Sequence, residues 1–230
     1  MWSLRRKPTP TLERAGEGEL IGLARGGSGA ALREIMRRHN RRLFRAARSV
    51  IGSDWEAEEV VQDAYVRAFR ALATFREEAA LGTWLTRIAI NEAQARLRGR
   101  REALPLTEVD KRTASGIIPF PAGAPSTDPE RQAAVGQIRV LLESAIDGLP
   151  APFREVFILR QVDGLSTEQT ARTLGIAPET VKTRLHRARS RLRRTLQDEL
   201  APALKDTFPF EGERCQRLTR VVLHRLGLRA

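Results

Sequence analysis

Seven basic side chains stand in the thirteen residues from Lys182 to Arg194: Lys182, Arg184, Arg187, Arg189, Arg191, Arg193 and Arg194, with no acid among them. Cations at that density neutralise phosphates, and those aimed at base edges reach guanine. The run lies on an amphipathic helix, because Val181, Leu185, Ala188 and Leu192 recur at i, i+4, i+7 and i+11. A core helix with a solvated basic face would carry the same charge, so the residues before it decide. Ser166, with Gln169 three places on, predicts a capping box. Ala171 and Leu174 give that first helix an apolar face, Gly175 suits a left-handed turn, and Ile176 plugs it. Pro178 and Glu179 then open the second helix where a missing N–H and a negative charge are best tolerated. Residues 149–194 thus read as a helix–turn–helix with a basic second helix, the arrangement that enters a DNA major groove.

A second charge pattern has the opposite sign. In DWEAEEVVQDAYVRAFRAL the acids Glu56, Glu59 and Asp63 fall at i, i+3 and i+7, while Val61, Ala64, Tyr65, Ala68, Phe69 and Leu72 face inward. The helix dipole accounts for acids in the first turn, Asp54 and Glu56, and not for Asp63. The stripe reads as a docking face for a basic protein partner. A third candidate is the helix from Thr83, with Trp84, Leu85, Ile88, Ala89 and Ala93 at helical spacing and Arg96, Arg98, Arg100 and Arg101 at its end. An aromatic that begins a basic helix can stack on unpaired bases. Trp84 by itself reads as core.

The elements that position these groups are helices throughout. Glu17 to Arg25 forms a short helix ended by Gly26 and Gly27. Ser28 caps a long one carrying Leu32, Ile35, Met36, Leu43, Ala47, Val50 and Ile51, whose exposed side is read as Arg-rich, including Arg42, Arg45 and Arg48. Ser53 and Glu56 predict a second capping box. Thr74 to Gly82 reads as a polar loop containing Phe75. Five prolines between 102 and 129 erase helical periodicity, which predicts a tether. Asp128 and Pro129 restart helix, with a stripe of Val135, Ile138, Leu142, Ala145, Ile146 and Leu149. The expected organisation is a mobile tail (1–16), a first helical domain (17–101), a flexible linker (102–129), a second helical domain with the helix–turn–helix (130–198) and an extension of unassigned role (199–230).

Composition bounds the function. Forty Lys and Arg against twenty-eight Asp and Glu leave a formal net charge of +12, which calls for a polyanionic partner. No apolar run reaches the roughly 20 residues of a membrane span, and the N-terminus lacks a secretory apolar core, so no membrane insertion is expected. A single cysteine, Cys215, gives no internal disulfide and fits the reducing cytoplasm. His39, His186 and His224 are scattered, and no carboxylate pair or Cys/His cluster has catalytic or ligand spacing. Neither an enzyme nor a cofactor is expected.

Two blocks together resemble one family. DWEAEEVVQDAYVRAFRAL with FREEAALGTWLTRIAINEAQARLR is similar to region two, and LPAPFREVFILRQVDGLSTEQTARTLGIAPETVKTRLHRARSRLR to region four, of bacterial RNA polymerase sigma factors. The type is the small extracytoplasmic-function (ECF) class of the sigma-70 family. The resemblance implies that Glu59, Val60, Gln62, Asp63 and Arg67 dock on core RNA polymerase. It implies that Phe75, Trp84 and Asn91 serve minus-ten capture during melting. It assigns Lys182, Thr183, Arg184, His186 and Arg187 to the minus-thirty-five element, and it implies an anti-sigma factor as a further partner. Ala177 departs from the family, many of whose members carry a capping Ser there. A free-standing helix–turn–helix regulator is the alternative, and it leaves the acidic stripe and the TWL helix without a role.

Overall fold

The computed structural model describes residues 12–103, 129–205, 216–218 and 220–222. Among these there are helices and turns and no strand. The order is α1 (Glu17–Arg25), α2 (Gly29–Ile51), α3 (Asp54–Arg70), α4 (Leu81–Ala103), α5 (Pro129–Asp147), α6 (Ala151–Phe157), a π-helical turn (Ile158–Val162), α7 (Thr167–Leu174) and α8 (Pro178–Lys205). The described residues up to Leu192 form one compact unit and those from Arg193 a second.

The expected stops and starts hold in the first half. Ser28 accepts from the Ala31 N–H and opens α2. Gly52, at φ 79°, closes it in the left-handed region that side chains with a Cβ avoid. Ser53 accepts from the Glu56 N–H, but the Glu56 carboxylate reaches Arg100 on α4 at 3.1 Å, so that box is half made. α4 begins at Leu81, two residues earlier than expected. Its Gly82 permits close packing on α2: a Cβ there would stand 3.0 Å from His39 Cε1.

Two apolar clusters hold the larger unit. One gathers Leu20, Ile21, Ile35, Leu43, Ala64, Tyr65, Leu72, Phe75, Leu81 and Leu85 from α1–α4 and the turn between α3 and α4. The other joins Ala46, Ala47, Val50, Ala57, Val60, Ile90 and Ala93 to Val156, Leu159, Leu165, Ala171, Leu174, Val181 and Leu185. Segments that read as separate domains therefore share a core. Three arginines expected to be solvated are drawn into that contact. Arg45 is hydrogen-bonded to Asp163 (Nε to Oδ1, 3.0 Å). Arg48 binds Asp54 and Asp147, the latter through Nη2 at 2.7 Å, and Arg42 is half-buried beside them.

The expected stripe of α5 is the clearest correction. Ala145 and Leu149 are buried, whereas Val135, Ile138 and Leu142 are 55%, 57% and 43% exposed. The buried part of the stripe is its C-terminal end, so the periodicity before it marks an amphipathic surface rather than core. Asp128, Cys215 and Leu226 lie outside the described residues.

Candidate nucleic-acid interface

The helix–turn–helix is built as its residues dictate. Ser166 Oγ accepts from Gln169 N at 3.1 Å, and Gln169 Oε1 accepts from Ser166 N at 2.8 Å, completing the capping box. Gly175 takes φ 66°, and Ile176 N donates back to Ala171 O. Val181, Leu185, Ala188 and Leu192 are buried, so the opposite side of α8 faces out.

That outer side is narrower than the charge count suggests. Lys182, Thr183, His186 and Arg187 are exposed and lie on one face. Lys182 pairs with Glu179 one turn back at 2.8 Å, an exposed pair that phosphate can displace. The Thr183 hydroxyl donates to Glu179 O at 2.9 Å, which leaves its methyl and lone pairs for a base. Three of the seven cations turn inward or sideways. Arg184 is half-buried and acts on Glu155, Arg189 donates to Gln161 Oε1 at 2.8 Å, and Arg191 lies 5.4 Å from the centre of the Phe153 ring. Arg184 stands at the edge of the outward-facing set, on the flank toward Glu155 of α6.

Glu155 is the acid behind that helix. Desolvation pushes its carboxyl up to about 7, against the pull of Arg184 and Arg154. A carboxyl raised in the folded state contributes stability below its unfolded pKa, and that contribution is lost as pH rises through the folded value. Glu155→Gln should therefore leave the urea midpoint of the chain unchanged near pH 4.5 and raise its stability near pH 8. The gain there is about 3 kcal/mol, since each tenfold change in proton affinity corresponds to about 1.4 kcal/mol. An equal gain at both pH values would show that charge burial is not the cause.

The aromatic candidates form a cleft. Phe75 and Trp84 pack with ring centres 4.9 Å apart. Phe75 is only 7% exposed, so it offers the cleft little surface. Arg25 fixes the loop by donating from Nε to Leu72 O at 3.2 Å and by binding Phe75 O and Glu77. The cleft, of about 290 Å³, is lined by Thr74, Phe75, Arg76, Glu78, Ala79, Thr83, Trp84 and Arg87, and also by Gln169, Arg172 and Thr173 of α7. Stacking takes an open aromatic face, which the half-buried Trp84 offers better than Phe75, and the guanidinium groups of Arg76 and Arg87 suit phosphates. Asn91 is exposed two turns further along α4 and is not part of the lining.

The docking stripe on α3 is partly engaged within the molecule. Glu59 pairs with Arg96 and Arg67 with Glu92, both on α4. Gln62 and Asp63 are exposed, and Asp63 has no ion pair among the described residues. Val60 is 1% exposed. It faces the core and is corrected from a contact to a support, because it follows the buried positions Ala57 and Ala64 around the helix. Trp55 and Val66 were missed: they are 68% and 50% exposed and continue the outer stripe with Glu59 and Gln62. The same i, i+4, i+7, i+11 spacing would have found them.

No group of three His, Cys, Asp or Glu among the described residues could hold a metal ion. No described helix is long and apolar enough to cross a membrane.

Comparisons with known proteins agree with this geometry. The sigma-70 region 2 family matches residues 35–103, and sigma-70 region 4 matches residues 139–192. The ECF RNA polymerase sigma factor SigM of Mycobacterium tuberculosis is 33% identical over 78% of this chain and 84% of its own. The ECF RNA polymerase sigma-E factor of Escherichia coli K12 is 33% identical over 62% of this chain and 74% of its own. Among solved structures, the sigma factor RpoE from Bartonella quintana, in complex with the anti-sigma factor NepR, superposes with a TM-score of 0.53 at 27% identity, covering 72% of this chain and 96% of that one. The chain belongs to the sigma-70 family as an ECF-type sigma factor, and its function is promoter-specific transcription initiation.

Proposed function

We propose a division of labour for this sigma factor. The outer face of α3, with Trp55, Gln62, Asp63 and Val66, docks on core RNA polymerase. The Phe75–Trp84 cleft receives an unpaired minus-ten base, and Asn91 reads a neighbouring edge with an amide that both donates and accepts. Lys182, Thr183, His186 and Arg187 enter the major groove of the minus-thirty-five element. The chain works in the cytoplasm, has no catalytic step of its own, and is a target for an anti-sigma factor of the class seen on its Bartonella relative.

One observation carries this reading: an exposed basic face follows a fully capped turn in the same chain as an aromatic cleft edged by Arg76 and Arg87. A free-standing regulator needs only the first of these. The test is run-off transcription from a genomic fragment library with purified chain and bacterial core polymerase. Discrete chain-dependent starts are expected. No starts together with no polymerase binding would leave a DNA-binding regulator as the better account.

Arg187 gives a residue-level check. Its guanidinium is exposed and of a kind that bonds guanine, so Arg187→Ala should weaken binding to the preferred promoter by about 1–3 kcal/mol and relax one base position. A titration on promoter and random duplexes distinguishes the roles, since an equal loss on both would make Arg187 a phosphate contact.

A further inference from the structure

The segment between α3 and α4 has little to hold its own shape. A 3-10 turn (Leu72–Thr74) ends at Phe75, and α4 takes hold at Ala80, whose carbonyl accepts from Thr83 N at 2.9 Å and from Trp84 N at 3.2 Å. Residues 76–79 make no main-chain to main-chain hydrogen bond with any described residue. Yet Arg76, Glu78 and Ala79 line the Phe75–Trp84 cleft, so the course of this stretch decides the shape of that cleft. Glu77 sits at φ 60°, a left-handed conformation that no other described non-glycine residue adopts. A residue with a Cβ stays there only when its surroundings impose it.

One guanidinium from a distant element supplies that constraint. Arg25 ends α1, whose Leu20, Ile21 and Ala24 are buried in the first apolar cluster, so its backbone is fixed. Its Nε donates to Leu72 O at 3.2 Å, its Nη2 to Phe75 O at 2.5 Å, and its Nη1 to Glu77 Oε1 at 3.2 Å. Three nitrogens of one planar fork thus meet three acceptors spread from Leu72 to Glu77, which a single ammonium could not do. The Phe75 ring is buried against Trp84, so an anchor on the Phe75 carbonyl also bears on the aromatic pair.

We infer that Arg25 is a positioning residue for minus-ten recognition: its guanidinium anchors the chain from Leu72 to Glu77 so that Arg76 and Glu78 line the cleft beside Trp84, and it thereby sets which unpaired base the cleft accepts. The inference rests on reading that cleft as the minus-ten site. Arg25 acts through the loop, its three donor nitrogens being engaged within the chain.

The test uses the full-length chain bound to core polymerase, as wild type, Arg25→Gln, Arg25→Lys, Glu77→Gln and Trp84→Leu. The probe is a labelled single-stranded oligonucleotide spanning the minus-ten region of a promoter found by run-off transcription, with each base replaced in turn. Arg25→Gln should weaken binding of the preferred oligonucleotide about tenfold, the usual worth of a hydrogen bond to a charged group, and should flatten the preference at one base position. Arg25→Lys should fall between it and wild type. Glu77→Gln keeps both carbonyl anchors and should stay within about threefold of wild type. Affinity for core polymerase should not change in any Arg25 variant. Trypsin cleavage of the free chain after Arg76, followed by mass spectrometry, should quicken in Arg25→Gln. Weaker oligonucleotide binding with the base preference intact, or with an equal loss of polymerase binding, would overturn the positioning role, because general destabilisation does the same. Unchanged oligonucleotide binding in Arg25→Gln beside weakened binding in Trp84→Leu would also overturn it. Unchanged binding in Trp84→Leu would sink the reading of the cleft and with it the recognition role, while the trypsin rate would still tell whether Arg25 holds the loop.

Discussion

Asp63→Arg should abolish most core-polymerase binding while leaving binding of duplex minus-thirty-five DNA intact. Asp63 is the acid of the α3 stripe that is exposed and free of an ion pair among the described residues. Glu56 and Glu59 are held by Arg100 and Arg96, so they must exchange partners to dock. A reversed charge at the free position places a guanidinium against a basic partner. Like charges so juxtaposed at an interface cost several kcal/mol, which corresponds to about a hundredfold or more in affinity. Titration of labelled chain with core polymerase measures the loss, and the effect should shrink at high salt because the site is exposed. A parallel loss of duplex binding would mean that the substitution had unfolded the chain. Unchanged polymerase affinity would move docking away from this face.

Leu159→Ala should lower the unfolding free energy of the chain by about 2–5 kcal/mol, the usual cost of emptying a buried leucine site. Leu159 is fully buried in the π-helical turn and belongs to the cluster that also holds Ala46, Val50, Ile90 and Ala93. The cluster draws on α2, α3, α4, α6, α7 and α8, so the space left behind is refilled only as far as those helices can move. Urea unfolding at pH 7 reads the change. A loss well under about 1 kcal/mol, below the range for buried leucines, would mean that this position is solvated and the shared cluster loose. Tenfold weaker promoter binding is not expected from this variant, since Leu159 lies in the core and not on a reading face.

Local chemistry, which acts within one turn of helix, was legible from the amino acids. Ser28, Ser53 and Ser166 cap where they stand because a hydroxyl three residues from a free N–H needs no help from elsewhere. Gly52 and Gly175 end helices because only a residue without a Cβ takes positive φ cheaply. The inner faces of α3 and α8 followed from periodicity alone, as Ala64, Tyr65, Ala68, Val181 and Leu185 are all buried. The helix–turn–helix, and with it the class of ligand, came from spacing and charge.

Which partner each face meets was decided by the tertiary structure. Arg42, Arg45 and Arg48 look like any solvated stripe until the fold brings Asp147 and Asp163 across roughly a hundred residues of chain to meet two of them. Glu56 satisfies the capping-box pattern, yet Arg100 competes for its carboxylate with a full positive charge. Arg184, Arg189 and Arg191 are engaged by Glu155, Gln161 and Phe153, which no count along α8 could foresee. Val135 and Ile138 have core spacing and no core, since both are more than half exposed. A sequence specifies which face of each helix is apolar and which is charged. Only the packing of distant helices selects whether a charged face meets solvent, an opposite charge or a nucleic acid, because that energy depends on groups the local chain does not contain.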